Sequence, residues 1–185
     1  MNNVKTFAET ERLVLRELLP ADRQAMFDMD SDAEVHKYVG KNPVKAIEET
    51  DRVIEFVRRQ YIDNGIGRWA AIEKSTGEFV GWSGLKLVKE AVNGHIDFYD
   101  IGYRLTKKHW GKGYATESGI AARDYAFNVL KAPAIYAMTD IDNTASKKAL
   151  EKIGLKYIET FNYDAEPGWR EKGEPATWYK MENPF

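Results

Sequence analysis

Two glycines, Gly111 and Gly113, lie between a predicted strand that ends at Leu105 and a predicted helix that begins near Tyr114. Glycine lets the backbone approach a ligand closely and turn its N–H groups towards it. The positive end of the helix dipole adds to the same position, where it stabilises anions. These residue types at this spacing therefore predict a cradle for an anion such as a phosphate group.

Two further polar residues, Asn143 and Ser146, stand where a predicted strand over 134–139 gives way to a predicted helix over 144–153. Asparagine is well suited to cap the N-terminus of a helix. Ser146 shares a helix face with apolar Ile153, so its side chain is expected to point towards the sheet. A first-turn serine can equally hydrogen-bond the backbone, and that alternative stays open.

The elements that must position these residues follow a mixed α/β order. Apolar periodicity predicts strands over 12–17, 69–73, 79–88, 96–105, 134–139, 155–162 and 176–181, and helices over 20–29, 45–63, 114–130 and 144–153. A stripe of small residues along helix 114–130 indicates close packing on a sheet. A polar loop containing Glu166, Pro167 and Gly168 precedes the last strand.

Residues 96–139 form a predicted β-α-β unit, whose two strands should be parallel with a right-handed crossover. The fold class is therefore α/β (α+β), with a mixed, mostly antiparallel sheet, one parallel β-α-β crossover and flanking helices. We expect a single domain over 1–185 with its core at about 10–183. A ligand should bind at the carboxyl ends of the two parallel strands.

Composition excludes several classes of site. The chain has 185 residues, 27 basic and 29 acidic, with a formal charge of −2, so nothing global attracts nucleic acid or an anionic membrane. It has no cysteine, which excludes disulfides, thiolate metal sites and an acyl-cysteine intermediate. Its three histidines share no metal-ligand spacing, so no metal is expected. There is no apolar stretch typical of a membrane span or a signal peptide, and a cytoplasmic location is expected.

A dinucleotide-binding fingerprint is the rival interpretation of the glycine loop. The third glycine of that motif would fall at Thr116, and residues 106–111 separate the strand from the turn. The unit also lies mid-chain behind a predicted hairpin, so the match is incomplete.

The chain resembles the GNAT superfamily of acyl-CoA-dependent N-acetyltransferases, and within it the ribosomal-protein N-terminal acetyltransferases (RimJ/RimL-like). The resemblance spans nearly the whole chain and is carried by residues 10–16, 81–85, 101–103, 142–146 and 150–155. The superfamily's loop has Gln or Arg, two residues, Gly, one residue, then Gly or Ala. Trp110 takes the first place here, followed by Gly113 and Ala115, and tryptophan at that place marks this subgroup.

The resemblance implies acetyl-CoA as co-substrate. Backbone N–H groups of residues 111–116 would hold its pyrophosphate, the strand end would pair with the pantetheine amides, and the N–H of Leu105 would point at the thioester oxygen. The implied coenzyme-binding residues are Tyr103, Arg104, Leu105, Trp110, Gly111, Lys112, Gly113, Tyr114, Ala115, Thr116, Asn143 and Ser146.

The resemblance also implies direct transfer in a ternary complex, with proximity and orientation supplying most of the acceleration. Asp100 stands where many relatives have glutamate and is expected to accept the amine proton; it is one methylene shorter, so Asp97 or Glu117 could substitute. Ser146 is expected to serve the departing thiolate, and Asn143 to hydrogen-bond the coenzyme arm. Leu105 completes the expected catalytic set.

The expected acceptor is a protein or peptide N-terminus. An α-amine with a pKa near 8 is about a tenth neutral at pH 7, whereas a lysine amine is neutral only about once in 2,500. Aminoglycosides, polyamines and amino acids remain possible acceptors, as does a non-catalytic acyl-CoA-binding role. The acceptor pocket is expected to use Tyr38, Trp82, Tyr99 and loop 162–175, although each aromatic could instead be core. The chain would act as a monomer or homodimer.

Overall fold

The computed structural model describes residues 4–164 and 171–184. Its strands are β1 (Thr6–Glu9), β2 (Leu13–Glu17), β3 (Arg68–Glu73), β4 (Phe79–Val88), β5 (Phe98–Leu105), β6 (Ala134–Asp140), β7 (Lys156–Asn162) and β8 (Pro175–Glu182). Its helices are α1 (Arg23–Asp30), α2 (Ala33–His36), α3 (Ile47–Asn64), α4 (Tyr114–Asn128) and α5 (Thr144–Ile153), with 3-10 turns at Pro20–Asp22 and Lys107–His109.

The eight strands form one sheet in the order β1-β2-β3-β4-β5-β6-β8-β7. Every neighbouring pair is antiparallel except β5 and β6, which are parallel and joined through α4. The predicted fold class, a mostly antiparallel sheet with one parallel crossover, is therefore confirmed. The last strand in sequence, β8, lies between β6 and β7, so the chain end is built into the sheet.

Helices cover both faces of the sheet. On one face, α4 and α5 pack on the largest apolar cluster, which includes Trp69, Ile101 and Ile135. On the other face, α1, α2 and α3 enclose a second cluster around Met26 and Ile54. This arrangement gives β5 two chemically different faces, because alternate side chains of a strand point to opposite sides.

The small residues predicted to bring α4 close to its neighbours do so. Ala122 and Ala126 are fully buried, and a Cβ added at Gly119 would clash with Ile153 of α5. α5 ends at Gly154, whose left-handed φ of +111° closes the helix. The two helices that follow β5 and β6 are thereby packed together on one face of the sheet.

Several elements differ from the sequence prediction. The short β1 and α2 were not predicted, because four-residue elements carry little periodicity. β5 begins at Phe98 instead of residue 96, because Asp97 has a left-handed φ of +54° that a strand cannot contain. The predicted loop residues Glu166, Pro167 and Gly168 lie outside the described residues. None of the helices in the described part of the chain has the length and apolar character needed to cross a membrane.

Gly81 fixes the close approach of β4 to the end of β5. Its φ of +150° favours glycine, and a Cβ there would clash with the carbonyl oxygen of Arg104 and lie 2.7 Å from the Cα of Leu105. A side chain at Gly81 would therefore push away the strand end that, by the family resemblance, is expected to pair with the pantetheine.

We expect Gly81→Ala to lower the free energy of unfolding by about 3 kcal/mol, since steric overlap and backbone strain act together. Gly77→Ala is the matched control: its φ is +72° but no atom lies within 4 Å of the added Cβ, so strain alone should cost about 1 kcal/mol. Urea unfolding measures both values. Equal losses in the two variants would contradict the steric argument.

Candidate active site

The sheet opens between its two parallel strands. Backbone pairing of β5 with β6 is confined to Tyr99 with Ile135 and Asp100 with Tyr136, whereas β4 pairs with all eight residues of β5 and β8 with all seven of β6. Each strand is therefore held by its outer neighbour while the two part towards their carboxyl ends. This opening offers backbone N–H and C=O groups to a ligand lying between the strands.

The end of β5 directs specific backbone groups into this opening. Thr106 N–H donates to the Val80 carbonyl of β4 at 3.0 Å. Because antiparallel strands alternate the side to which they bond, the N–H groups of Leu105 and Tyr103 face away from β4. Trp110 Nε1 donates to the Leu105 carbonyl at 2.9 Å, which ties the following loop to the strand end.

The glycine loop begins α4 beside the same opening. Gly113 is the N-cap residue with a φ of +83°, and Gly111 has a φ of +74° with no atom within 4 Å of an added Cβ. Both conformations favour glycine. The first N–H groups of a helix have no intrahelical acceptor, so residues 114–116 present unpaired donors and a positive dipole end. Unpaired backbone donors of this kind suit an anion such as a pyrophosphate.

A brace holds the glycine loop from the β1–β2 turn. Arg12 Nε donates to Glu117 Oε2 of α4 at 2.7 Å, Thr10 Oγ1 donates to Glu117 Oε1 at 2.6 Å, and Arg12 Nη1 donates to the Lys112 carbonyl at 2.9 Å. The Arg12 guanidinium also stacks over the Tyr114 ring, 4.3 Å from its centroid. Burial acts to raise the pKa of Glu117, but these hydrogen bonds outweigh it and lower that pKa. Glu117 is thus engaged in the brace.

A tyrosine and a serine meet on the other side of the opening. The Tyr103 hydroxyl donates to the Ser146 carbonyl at 3.1 Å and lies 3.4 Å from Ser146 Oγ. Asn143 Oδ1 accepts from Ser146 N–H at 3.1 Å, so Asn143 is the predicted N-cap of α5. Burial raises the pKa of Tyr103 strongly, and its hydroxyl therefore keeps its proton at neutral pH.

A cavity of about 530 Å³ runs from this opening to the α1–α3 face of the sheet. Seven of the predicted site residues line it: Tyr38, Trp82, Asp100, Tyr103, Arg104, Asn143 and Ser146. Tyr99 packs against the main core and is not among the lining residues, so we leave it out of the proposed acceptor site. Leu105 and the loop 110–116 are not among the lining residues and border the opening from the α4 side.

Ion pairs form the floor of this cavity. The Asp100 carboxylate is bound by Arg68, whose guanidinium also donates to the carbonyls of Gly84 and Asp100. Arg104 Nη1 lies 2.7 Å from Asp30 Oδ1. Both guanidinium groups lie over the Trp82 ring, 5.5 Å from its centroid for Arg68 and 5.1 Å for Arg104.

Sequence reasoning missed Arg68, Asp30, His36 and the Arg12–Glu117 brace. Their partners are far away in sequence, for example 74 residues between Asp30 and Arg104, and a single sequence gives no sign of such pairing. His36 was weighed only as a metal ligand, although it is 6% exposed and lines the cavity. Within the described residues no group of three or more possible ligands could hold a metal ion.

The GNAT acetyltransferase domain model matches residues 12–156, which is most of the chain. The chain belongs to the GNAT acetyltransferase family. It is therefore an N-acetyltransferase, and acetyl-CoA is the acyl donor that GNAT enzymes use. The opening between β5 and β6 and the glycine cradle are the parts of this chain that fit that donor.

Relatives across bacteria and fungi support this membership. The chain is 33% identical over 159 residues to the uncharacterized protein YkkB of Bacillus subtilis (strain 168), covering 85% of this chain and 90% of that one. It is 31% identical over 187 residues to the FsC-acetyl coenzyme A-N(2)-transacetylase of Aspergillus fumigatus, covering 95% and 79%.

Solved GNAT structures share the fold. An acetyltransferase from Agrobacterium tumefaciens has a TM-score of 0.75 at 26% identity, covering 98% of this chain and 96% of that chain. The spermidine N-acetyltransferase of Vibrio cholerae, solved with CoA and spermine, has a TM-score of 0.70 at 18% identity, covering 92% and 95%. At that identity the likeness concerns the fold alone.

Acetyl-CoA at 100 times its dissociation constant should stabilise the chain by about 2.7 kcal/mol, and we expect Gly113→Val to lose most of this gain. The variant should still fold, because the nearest atom to the added Cβ is Arg12 Nη2 at 3.5 Å. The valine side chain would nevertheless fill the cradle. Gly94→Val, with a similar φ of +73° in a remote turn, controls for backbone strain. Thermal unfolding with and without acetyl-CoA measures both. An unchanged ligand effect in Gly113→Val would place the coenzyme elsewhere.

Proposed function

We propose that this GNAT enzyme acetylates the α-amine of a protein or peptide N-terminus, the activity of the RimJ/RimL-like group that its motifs resemble. The observation that carries the proposal is the cavity of about 530 Å³ that reaches the β5–β6 opening, called the chamber from here on. In it, each negative charge lies beside a positive one. Such a chamber suits an acceptor with a single reactive amine.

The charges lining the chamber cancel in pairs. Among the described residues that line it, the carboxylates are Asp30, Asp100 and Glu90. Asp30 pairs with Arg104, Asp100 with Arg68, and Glu90 with Lys86 at 3.6 Å. A polyamine or aminoglycoside carries several positive charges, and its burial without free carboxylates would be costly. An acceptor with one amine avoids that cost.

Much of the remaining wall is apolar. It includes Val39, Val44, Val53, Phe56 and Val57, which α3 and the segment before it contribute. An apolar side chain next to the reacting amine would gain about 25 cal/mol per Å² that it buries there. Because an α-amine is already about a tenth neutral at pH 7, modest assistance with its proton suffices.

The chain's own groups can serve direct transfer. Bound acetyl-CoA supplies the activated acyl group as a thioester. The Leu105 N–H would stabilise negative charge on the acyl oxygen, for which one such donor contributes about 3 kcal/mol. Tyr103 and Ser146 would supply the proton that the departing sulfur needs. Asp100 was expected to accept the amine proton, yet its carboxylate is occupied by Arg68, so this role stays a prediction.

A small-molecule amine is the second candidate acceptor. It is favoured by the Aspergillus fumigatus relative, whose name, FsC-acetyl coenzyme A-N(2)-transacetylase, specifies an N(2) position. The identity of 31% over nearly the whole chain makes this alternative worth the same assay.

The deciding experiment is an acceptor panel with acetyl-CoA, in which free coenzyme thiol is measured and products are identified by mass spectrometry. The panel contains lysine-free peptides with free N-termini, N-terminally blocked lysine peptides, spermidine, an aminoglycoside and free amino acids. We expect acetylation of the unblocked peptides. Acetylation of spermidine or the aminoglycoside in preference to them would contradict the proposed acceptor class.

We expect Tyr103→Phe and Ser146→Ala each to lower kcat by about 10- to 100-fold, within the range of general acid catalysis. The dissociation constant of acetyl-CoA should stay within about twofold, because the backbone contacts are kept. The double variant should lose little more than either single one, since the two hydroxyls act on one proton. A kcat of the double variant that falls by the product of the two single losses would contradict this shared role. A loss of acetyl-CoA affinity as large as the loss of kcat would contradict it too.

A further inference from the structure

We infer that an apolar rim at the mouth of the chamber binds an apolar side chain in the first two residues of the acceptor peptide. This inference rests on the proposed function. The rim consists of Val53 and Phe56 of α3 and of Val39 and Val44 in the segment that precedes α3, and all four line the chamber. The rim would thus select which N-termini are acetylated.

Val53 and Phe56 are exposed to solvent although both are apolar. Their exposed fractions are 39% and 64%, and neither belongs to an apolar cluster of the described residues. They lie three positions apart on α3, so they share one face of the helix. A residue that lines a cavity and is also exposed lies where the cavity meets solvent. The two side chains are therefore free to contact an acceptor as it enters.

The stability of the fold does not explain Phe56. At an exposed position inside a helix, phenylalanine is a poorer helix former than alanine. Single exposed apolar residues are ordinary on protein surfaces, and Ile62 of the same helix, 76% exposed, is one of them. The rim differs because its residues border the same cavity as Tyr103 and Ser146. Its position points to a ligand of the acetyl-transfer site.

The other half of the rim is fixed to the helices before it. Val44 N–H donates to the Asp30 carbonyl of α1 at 2.9 Å, and Val39 N–H donates to the His36 carbonyl of α2 at 3.0 Å. Between these two valines, Lys41 has a left-handed φ of +52° that turns the segment. This half of the rim is therefore preorganised, and binding need not order it.

A short series of contacts links the rim to the acyl end of the site. Asp30 holds Val44 through its carbonyl and Arg104 through its carboxylate, at 2.7 Å. Arg104 precedes Leu105, the expected donor to the acyl oxygen. An extended peptide advances about 3.3 Å per residue. Only the first residues of an acceptor whose amine lies at Leu105 can therefore reach the rim.

The four rim side chains offer apolar contact alone. They have no hydrogen-bonding groups, so a polar acceptor side chain would lose water there without a replacement partner. An apolar side chain instead gains free energy in proportion to the area that it buries. The rim should therefore favour acceptors that begin with leucine, methionine or phenylalanine over those that begin with serine, asparagine or aspartate.

The test is kcat/KM for three lysine-free peptides with free N-termini that differ only in their first two residues: Leu-Ser, Ser-Leu and Ser-Ser. In the parent, we expect at least one leucine peptide to exceed Ser-Ser about tenfold. Phe56→Ala should reduce this preference to within twofold by raising KM for the leucine peptide. Its kcat should stay unchanged, because the contact is equal in the ground and transition states. Phe56→Leu keeps an apolar contact and should retain at least a fivefold preference.

Ile62→Ala is the matched control, because Ile62 is exposed on the same helix but absent from the chamber lining. It should keep the parent preference. Phe56→Ala should fold, since alanine suits an exposed helix position, and its melting temperature and acetyl-CoA affinity should match those of the parent. Val53→Ala is a second rim variant and should weaken the preference in the same direction.

Three results would overturn the rim: no preference for either leucine peptide in the parent, a full preference in Phe56→Ala, or its loss in Ile62→Ala as well. Each of these results leaves peptide acetylation by the parent in place. If the parent acetylates spermidine or an aminoglycoside but none of the three peptides, the proposed function fails. That failure is seen in the parent alone, so it is distinct from a failure of the rim.

Discussion

The departure of β5 from β6 is the constraint on which the site depends. Two parallel strands that stayed paired would satisfy each other's backbone groups and leave no room between them. Here β4 holds β5 and β8 holds β6 along their full lengths, so the strands can part after two paired positions without losing their places in the sheet. The opening lies at their carboxyl ends, where α4 and α5 also begin.

Rigid supports surround this opening. The Arg12–Glu117 brace fixes the glycine loop from one side, and the Tyr103–Ser146 contact joins β5 to α5 on the other. The buried ion pairs of the chamber add orientation more than stability, because desolvation offsets much of their attraction. Among the described residues that line the chamber, Asp30 lies beside Arg104 and Asp100 beside Arg68, so the charges there are matched.

Sequence predicted the parts that depend on local pattern. The glycine turn before α4, the Asn143 cap and α5 were all found from residue type and spacing, because each obeys local backbone rules. Asp100 was found in its strand, but its pairing with Arg68 across 32 residues was not. Tyr99 was expected to line the acceptor pocket, whereas it packs against the main core outside the lining of the cavity. Those features depend on which distant elements meet, and no local pattern records that.

A crystal structure of the chain with bound coenzyme A tests the central claim most directly. The account predicts that the pantetheine lies between β5 and β6, hydrogen-bonded to the backbone of Tyr103 and Leu105, with the pyrophosphate on the N–H groups of residues 111–116. The thiol should then end between Ser146 and the chamber. Coenzyme bound outside the opening, or strands β5 and β6 paired to their ends with the coenzyme elsewhere, would contradict the account.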